Sequence, residues 1–164
     1  MTIYSSTSID SFGFFYGRIT GLLGFKPMRH EGKITGLAAY GTKKYENLSS
    51  PVNLSTDGLK LKNNLINNYE IISRIFLIFK FAFLNIKFFS KNLFNNSALE
   101  LRYYQLKLNT FISKNFKNES KENVASYAQS VLEDKMNDLV LNTLKVQNSE
   151  NICLSGGVFA NVKL

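Results

Sequence analysis

Residues 151–161 read Asn-Ile-Cys-Leu-Ser-Gly-Gly-Val-Phe-Ala-Asn, and this stretch decides how the chain is interpreted. It predicts a short apolar strand over 151–154, a tight turn over 155–157 and a helix that opens at Val158. Glycines let a ligand approach the backbone, and a helix N-terminus presents free N–H groups with partial positive charge. The stretch therefore indicates a phosphate site in an α/β fold, although a plain tight turn has the same signature.

The helix before this stretch has the clearest periodicity in the chain. We predict it from Ser120 to about Val146, with Ser120 as N-cap and Glu122 in the first turn. Its apolar stripe, at spacings of three and four, comprises Val124, Ala128, Val131, Leu132, Met136, Leu139, Val140 and Leu144. The helix predicted after the Gly-Gly turn stops at Leu164 before completing two turns, which we interpret as a sign of truncation.

A further helix is predicted near the start of the chain. Residues 2–11 suit an extended lead-in or short strand, with Asp10 or Ser11 as the cap of a helix from Phe12 to Leu23. Gly24 then ends that helix, because glycine tolerates the conformation that follows a last turn.

Shorter elements follow in the next forty residues. Residues 32–40 predict a short helix with Gly41 in the C′ position. Ser-Thr-Asp-Gly at 55–58 predicts the turn of a small strand pair.

The middle of the chain, residues 65–117, is variable in character and rich in Asn, Lys and Phe. Its densest part, 71–94, predicts a buried or surface-lying amphipathic helix and not a membrane span, because four basic residues interrupt the apolar run. These are Arg74, Lys80, Lys87 and Lys91. Such a helix gives an alternative function, peripheral binding to an anionic membrane. We rank it, and the other alternative of a non-catalytic remnant, below an enzymatic role.

The formal net charge of +8 arises in this same segment. Residues 60–117 hold ten Lys and Arg against Glu70 and Glu100, while the rest of the chain is balanced. Nucleic-acid binding is not predicted, because phenylalanines at this density in helices more often form a core than a stacking platform. A coding bias toward Lys, Asn, Ile and Phe also accounts for the charge.

Length and cysteine content set the class of protein. With 164 residues, 45% of them hydrophobic, the chain suits one domain with a sizeable core. Its single cysteine, Cys153, excludes an internal disulfide framework, and we predict an inert buried thiol between Ile152 and Leu154. Because the first twenty residues also lack a secretory pattern, we expect a cytoplasmic setting.

Two separated blocks, residues 10–41 and 120–164, resemble the O-carbamoyltransferases of nodulation-factor and antibiotic biosynthesis. The middle of the chain matches nothing specific. The matching runs are Ser-Phe-Gly-Phe-Phe-Tyr at 11–16, Leu-Gly-Phe-Lys-Pro at 23–27, Glu-Gly-Lys-Ile-Thr-Gly-Leu-Ala-Ala-Tyr-Gly at 31–41, Val-Ala-Ser-Tyr-Ala-Gln-Ser-Val-Leu-Glu at 124–133 and the Gly-Gly stretch quoted above.

The resemblance implies that residues 1–164 form part of an actin, Hsp70 and sugar-kinase-like (ribonuclease H-like) domain with a helical insert. In such enzymes a second domain makes carbamoyl-adenylate from carbamoyl phosphate and ATP. The actin-like domain then passes the carbamoyl group to a hydroxyl of a sugar or secondary metabolite. Within the wider group, enzymes that modify transfer RNA by threonylcarbamoyl transfer are the nearest competitor, but the 31–41 block favours the small-molecule enzymes.

The family's divalent metal, of Fe or Mg type, is held by a His-x-x-x-His motif and an Asp that have no counterpart here. His30 is the single histidine, and an ordinary structural role is expected for it. The resemblance therefore names no metal ligand and no catalytic residue, and the isolated chain is expected to be inactive without the remainder of the enzyme.

Six residues are the candidates for binding the nucleotide. The resemblance implies that Gly32 faces the nucleotide's sugar, and Lys33 either pairs with a phosphate or is an ordinary solvated lysine. Asn161 either contacts the ligand or braces the turn. The full set is Gly32, Lys33, Ser155, Gly156, Gly157 and Asn161.

Overall fold

The structure is a computed structural model, and it contains helices and one small sheet. In the ranges it describes there are four α-helices, one antiparallel strand pair and two short 3₁₀ helices. The predicted mixed α/β class is confirmed in this general form. The predicted amphipathic stretch at 71–94 lies outside the described residues. The structure describes residues 4–5, 8–42, 45, 48–65, 96–147 and 151–164.

The first helix, α1, spans Phe12–Leu22 and has both of its predicted ends. Ser11 is the N-cap, and its hydroxyl accepts a hydrogen bond from the Phe14 N–H at 3.2 Å. At the other end Gly24 has φ of +87°, and Phe25 N–H donates to the Thr20 carbonyl at 3.0 Å. Together with the bond from Gly24 N–H to the Gly21 carbonyl at 3.1 Å, this forms a Schellman ending, which explains why a glycine follows this helix. Ahead of it, Ser8–Asp10 form a 3₁₀ helix where the sequence predicted an extended lead-in.

The second helix, α2, spans Glu31–Ala38, and the role of the glycine beyond it differs from the prediction. The C-cap is Ala39, so Gly41 lies past the C′ position, and its φ is not positive. A Cβ at Gly41 would lie 2.7 Å from the Glu122 carbonyl oxygen and would overlap the Ser126 side chain. Glycine is therefore required here because another helix packs directly on the backbone.

The predicted hairpin is confirmed. Strands β1, Val52–Leu54, and β2, Leu61–Asn63, pair antiparallel with Asn53 opposite Lys62. In the connecting turn Gly58 has φ of +70° and donates to the Ser55 carbonyl at 2.8 Å.

Two long helices complete the described part. Helix α3 spans Asn96–Asn115 and α4 spans Lys121–Gln147. Ser120 caps α4 as predicted, accepting a hydrogen bond from Asn123 N–H at 3.2 Å. Neither helix, nor any other in the described ranges, has the length and apolar character that a bilayer crossing requires.

The core lies between α1, α2 and α4, with α3 and β1 closing its sides. Helix α2 packs chiefly on α4, whose predicted apolar stripe is buried from Val124 to Met136 and half-buried at Leu139, Val140 and Leu144. The fully buried side chains include Phe12, Phe15, Ile19, Ile34, Val52, Tyr104, Leu108, Tyr127 and Leu132. The two blocks of the sequence resemblance therefore pack against each other.

The end of the chain corrects three predictions. Residues 151–154 are exposed and form no strand, because no strand in the described ranges pairs with them. Cys153, predicted to be a buried thiol, is exposed for the same reason. In place of a new α-helix after the Gly-Gly turn, a four-residue 3₁₀ helix spans Gly157–Ala160.

Candidate functional site

The Gly-Gly turn presents open backbone to solvent. Gly156 has φ of +103° and ψ of 162°, a conformation that residues with a side chain rarely adopt. A Cβ added at Gly156 or at Gly157 would meet no heavy atom within 4 Å, and Ser155 beside them is exposed. The space beside both glycines is therefore open, and the assignment of this turn to a ligand stays a prediction.

The helix that follows the Gly-Gly turn is short. The Gly157–Ala160 helix has a single turn, in which Phe159 N–H donates to the Gly156 carbonyl at 3.1 Å. Val158 and Phe159 pack on the core, and Val158 lies close above Gly13 of α1. A turn of this length supplies less dipole than the α-helix that the sequence predicted from Val158. Anion binding here would rest on individual N–H groups.

Asn161 is held by a buried glutamine of α4. Its Nδ2 donates to Gln129 Oε1 at 2.9 Å, and Gln129 Nε2 donates back to Asn161 Oδ1 at 3.2 Å. Asn161 Oδ1 also accepts the Lys163 N–H at 3.1 Å. The side chain thus has partners on both its oxygen and its nitrogen, an arrangement that braces the turn.

The same glutamine links the turn to α1 and α2. Tyr16 donates its hydroxyl proton to Gln129 Oε1 at 2.7 Å, and its oxygen lies 3.1 Å from Thr35 Oγ1. Because the tyrosine proton is directed at Gln129, Thr35 is the donor in the second bond. Burial raises the pKa of Tyr16, an effect that hydrogen bonds from Thr35 and Asn161 partly oppose. The phenol therefore remains a donor at neutral pH.

Gly32 and Lys33 lie in the exposed first turn of α2. A Cβ at Gly32 would meet nothing within 4 Å, so this backbone is also open to a ligand. The Lys33 ammonium lies 5.7 Å from the centre of the Phe25 ring, and that of Lys121 lies 6.0 Å from the same centre. Both ammonium groups therefore lie within cation–π distance of the same aromatic ring.

His30 takes part in the local structure of the loop before α2. Its Nδ1 accepts a hydrogen bond from Lys26 N–H at 3.2 Å, and its carbonyl accepts one from Lys33 N–H at 3.0 Å. These contacts agree with the structural role expected for this histidine.

A metal does not fit the residues described. Within those ranges no three His, Cys, Asp or Glu side chains are grouped so that they could hold an ion. We therefore derive no chemical step through a metal from this chain.

The structure connects one half of the predicted site to the other indirectly. Thr35 lies two residues after Lys33, and Asn161 lies four residues after Gly157, so the chain of hydrogen bonds through Tyr16 and Gln129 has the two candidate segments near its ends. Sequence reasoning missed four residues of this region: Tyr16, Phe25, Lys121 and Gln129. A buried Tyr and Gln on otherwise apolar helix faces were the available signal.

Comparison with known proteins identifies the family of this chain. The whole chain, residues 1–164, matches the family described as Carbamoyltransferase N-terminus. The chain belongs to that family.

A relative is also similar to this chain over nearly its whole length. An uncharacterized protein of Methanocaldococcus jannaschii is 29% identical over 163 residues, which cover 99% of this chain and 26% of the relative. The chain thus spans about a quarter of that protein's length. No solved structure matches the chain significantly.

Proposed function

We propose that this chain contributes the nucleotide-holding part of an O-carbamoyltransferase of the actin-like, ribonuclease H-like type. Family membership over residues 1–164 supports carbamoyl transfer in general. The observation that carries the finer proposal is the open Gly156–Gly157 backbone, tethered to the core through Asn161. The whole activity would require the remainder of a longer enzyme as a partner.

The proposed reaction moves a carbamoyl group from carbamoyl-adenylate to an acceptor hydroxyl. Carbamoyl-adenylate is a mixed anhydride that the longer enzyme would make from carbamoyl phosphate and ATP. The acceptor hydroxyl oxygen forms a bond to the carbamoyl carbon and its proton passes to solvent. The bond from that carbon to the phosphate oxygen breaks, and AMP leaves. The acceptor is a hydroxylated small molecule or a glycan, and we place the reaction in the cytoplasm.

The chain's own residues would bind the adenylate. We assign Ser155, Gly156 and Gly157 to the phosphate, because their backbone is exposed and no side chain obstructs it. Gly32 would face the sugar, and Lys33 would offer its ammonium to a phosphate oxygen. This division uses the two open backbone segments of the described structure.

The test is calorimetric titration of ATP, AMP and a non-hydrolysable carbamoyl-adenylate mimic into the full chain. Gly157→Asp places a carboxylate where the phosphate is expected, and we expect affinity to fall at least tenfold because like charges repel. Asn137→Asp adds the same charge at an exposed position of α4 and is the matched control. Saturable binding that both variants retain would reject the assignment of the turn, and no binding by the folded chain would reject the proposed function.

A further inference from the structure

The hydrogen bonds around Gln129 use the full capacity of its amide. Oε1 accepts from Tyr16 at 2.7 Å and from Asn161 at 2.9 Å. Nε2 donates to Asn161 at 3.2 Å and to Glu133 at 2.7 Å. Two lone pairs and two N–H groups are all engaged, which a side chain of another type at this position would not reproduce.

Burial of the Gln129 amide keeps its hydrogen bonds in one arrangement. Gln129 is 4% exposed and Tyr16 5% exposed, so neither can exchange its partners for water at low cost. A glutamate would lose both donors and would add a negative charge beside Glu133. Buried polar groups contribute little net stability compared with an apolar core, but a fully satisfied network fixes one arrangement.

We infer that Gln129 is a positioning residue, which holds Asn161 and thereby sets the Gly156–Gly157 turn at a defined place on α4 for an adenylate phosphate. The inference rests on the proposed function for the ligand, while the holding of the turn can be tested without one. Gln129 does not touch the ligand in this scheme. Asn161 likewise acts through its bond to Gln129.

A buried hydroxyl outside this network provides the control. Tyr127 of α4 is 2% exposed and donates its hydroxyl proton to the Ser49 carbonyl at 3.1 Å. Removing that hydroxyl lowers stability but leaves the reciprocal pair between Gln129 and Asn161 in place. Tyr127→Phe is consequently a matched control for a general loss of stability.

The experiment is amide hydrogen exchange on the full chain and on the variants Asn161→Ala, Gln129→Met and Tyr127→Phe. The reporters are the N–H groups of Phe159 and Asn161, which bond to the Gly156 and Val158 carbonyls. We expect exchange at these sites to rise at least tenfold in Asn161→Ala and Gln129→Met and less than twofold in Tyr127→Phe. The half-buried site of Asn161 lets that variant fold even if Gln129→Met does not.

AMP titration of the same variants supplies the functional readout. We expect affinity to fall about tenfold in Asn161→Ala and to stay within twofold in Tyr127→Phe. Reporter amides that exchange equally fast in the parent chain and in Asn161→Ala would overturn the positioning role. Faster exchange with unchanged AMP affinity would overturn its connection to the ligand. If the parent chain binds no nucleotide, the proposed function fails, but the exchange data still decide whether Gln129 holds the turn.

Discussion

The first half of α4 and the stretch 151–157 both carry the family resemblance, yet their surroundings are opposite. Val124, Ala128 and Leu132 are 4%, 0% and 2% exposed, whereas every residue from 151 to 157 is exposed. An amphipathic helix buries its stripe against any suitable apolar surface, and α1 and α2 provide one. A strand must pair its backbone groups with another strand. The contrast teaches that the helical block contributes to a core, while the Gly-Gly block presents exposed backbone.

The largest expected effect is on the free energy of unfolding, when a leucine is replaced by alanine in each of the two regions. Leu132→Ala should lower the free energy of unfolding by about 3 kcal/mol, because it leaves a cavity in the core. Leu154→Ala, at a position that is 47% exposed, should cost less than about 0.5 kcal/mol. Urea denaturation followed by circular dichroism measures both. Equal losses would mean that residues 151–154 are buried in solution and would break the comparison.

A smaller effect is expected where the backbone of residue 41 meets α4. Gly41→Ala should lower stability by about 2 kcal/mol, because the added methyl group meets Ser126 and the Glu122 carbonyl. Gly36→Ala is the control, since a Cβ there meets nothing within 4 Å in an exposed part of α2. That control should raise stability by about 0.5–1 kcal/mol through helix propensity. A neutral Gly41→Ala would show that the close packing of this backbone is absent in solution.

The last expected effect is a loss of stability at alkaline pH, which arises from buried tyrosines of the packed region. Burial raises the pKa of Tyr127 above its ordinary value of 10.0, so the folded state keeps a proton that the unfolded state releases. Stability is therefore unaffected below pH 10 and falls as pH rises beyond it, by about 1.4 kcal/mol per pH unit for each such tyrosine. Burial acts in the same direction on Tyr16 and Tyr104.

Tyr127→Phe isolates one contribution to this loss. At neutral pH it should cost about 1 kcal/mol, because Tyr127 donates a hydrogen bond to the Ser49 carbonyl at 3.1 Å. Above pH 10 its stability should decline less steeply than that of the parent chain. Denaturation curves at pH 8, 10 and 11 give the two slopes, and parallel slopes would contradict the burial of this phenol.

Much of the packed region could be predicted because its signals are local. The cap at Ser11, the ending at Gly24 and the stripe of α4 each depend on residues within a few positions of one another. The hairpin around Gly58 is local in the same sense. These elements follow from backbone sterics and side-chain spacing, which a sequence displays directly.

The remainder depends on partners that are distant in sequence. Tyr16 and Gln129 are separated by 113 positions, so no periodic pattern brings them together. The role of Gly41 depends on where α4 crosses it, and a glycine near a helix end suggests a cap in the absence of that knowledge. Cys153 was expected to be buried because its neighbours are apolar, but burial requires a surface to pack against. Propensity alone supplies none of these contacts.

The contact between Thr42 and Asn123 has a consequence for how this chain can change its length. Thr42 N–H donates to Asn123 Oδ1 at 3.0 Å across 81 positions of sequence, next to the close approach of Gly41 to α4. The stretch between Thr42 and Asn123 therefore begins and ends at neighbouring positions in the fold. This stretch includes the hairpin and α3, which give Val52, Tyr104 and Leu108 to the core. Lengthening a flexible segment costs only about 0.6 kcal/mol of closure entropy per doubling, so added sequence is tolerated here wherever it leaves these elements packed and both ends joined at Thr42 and Asn123.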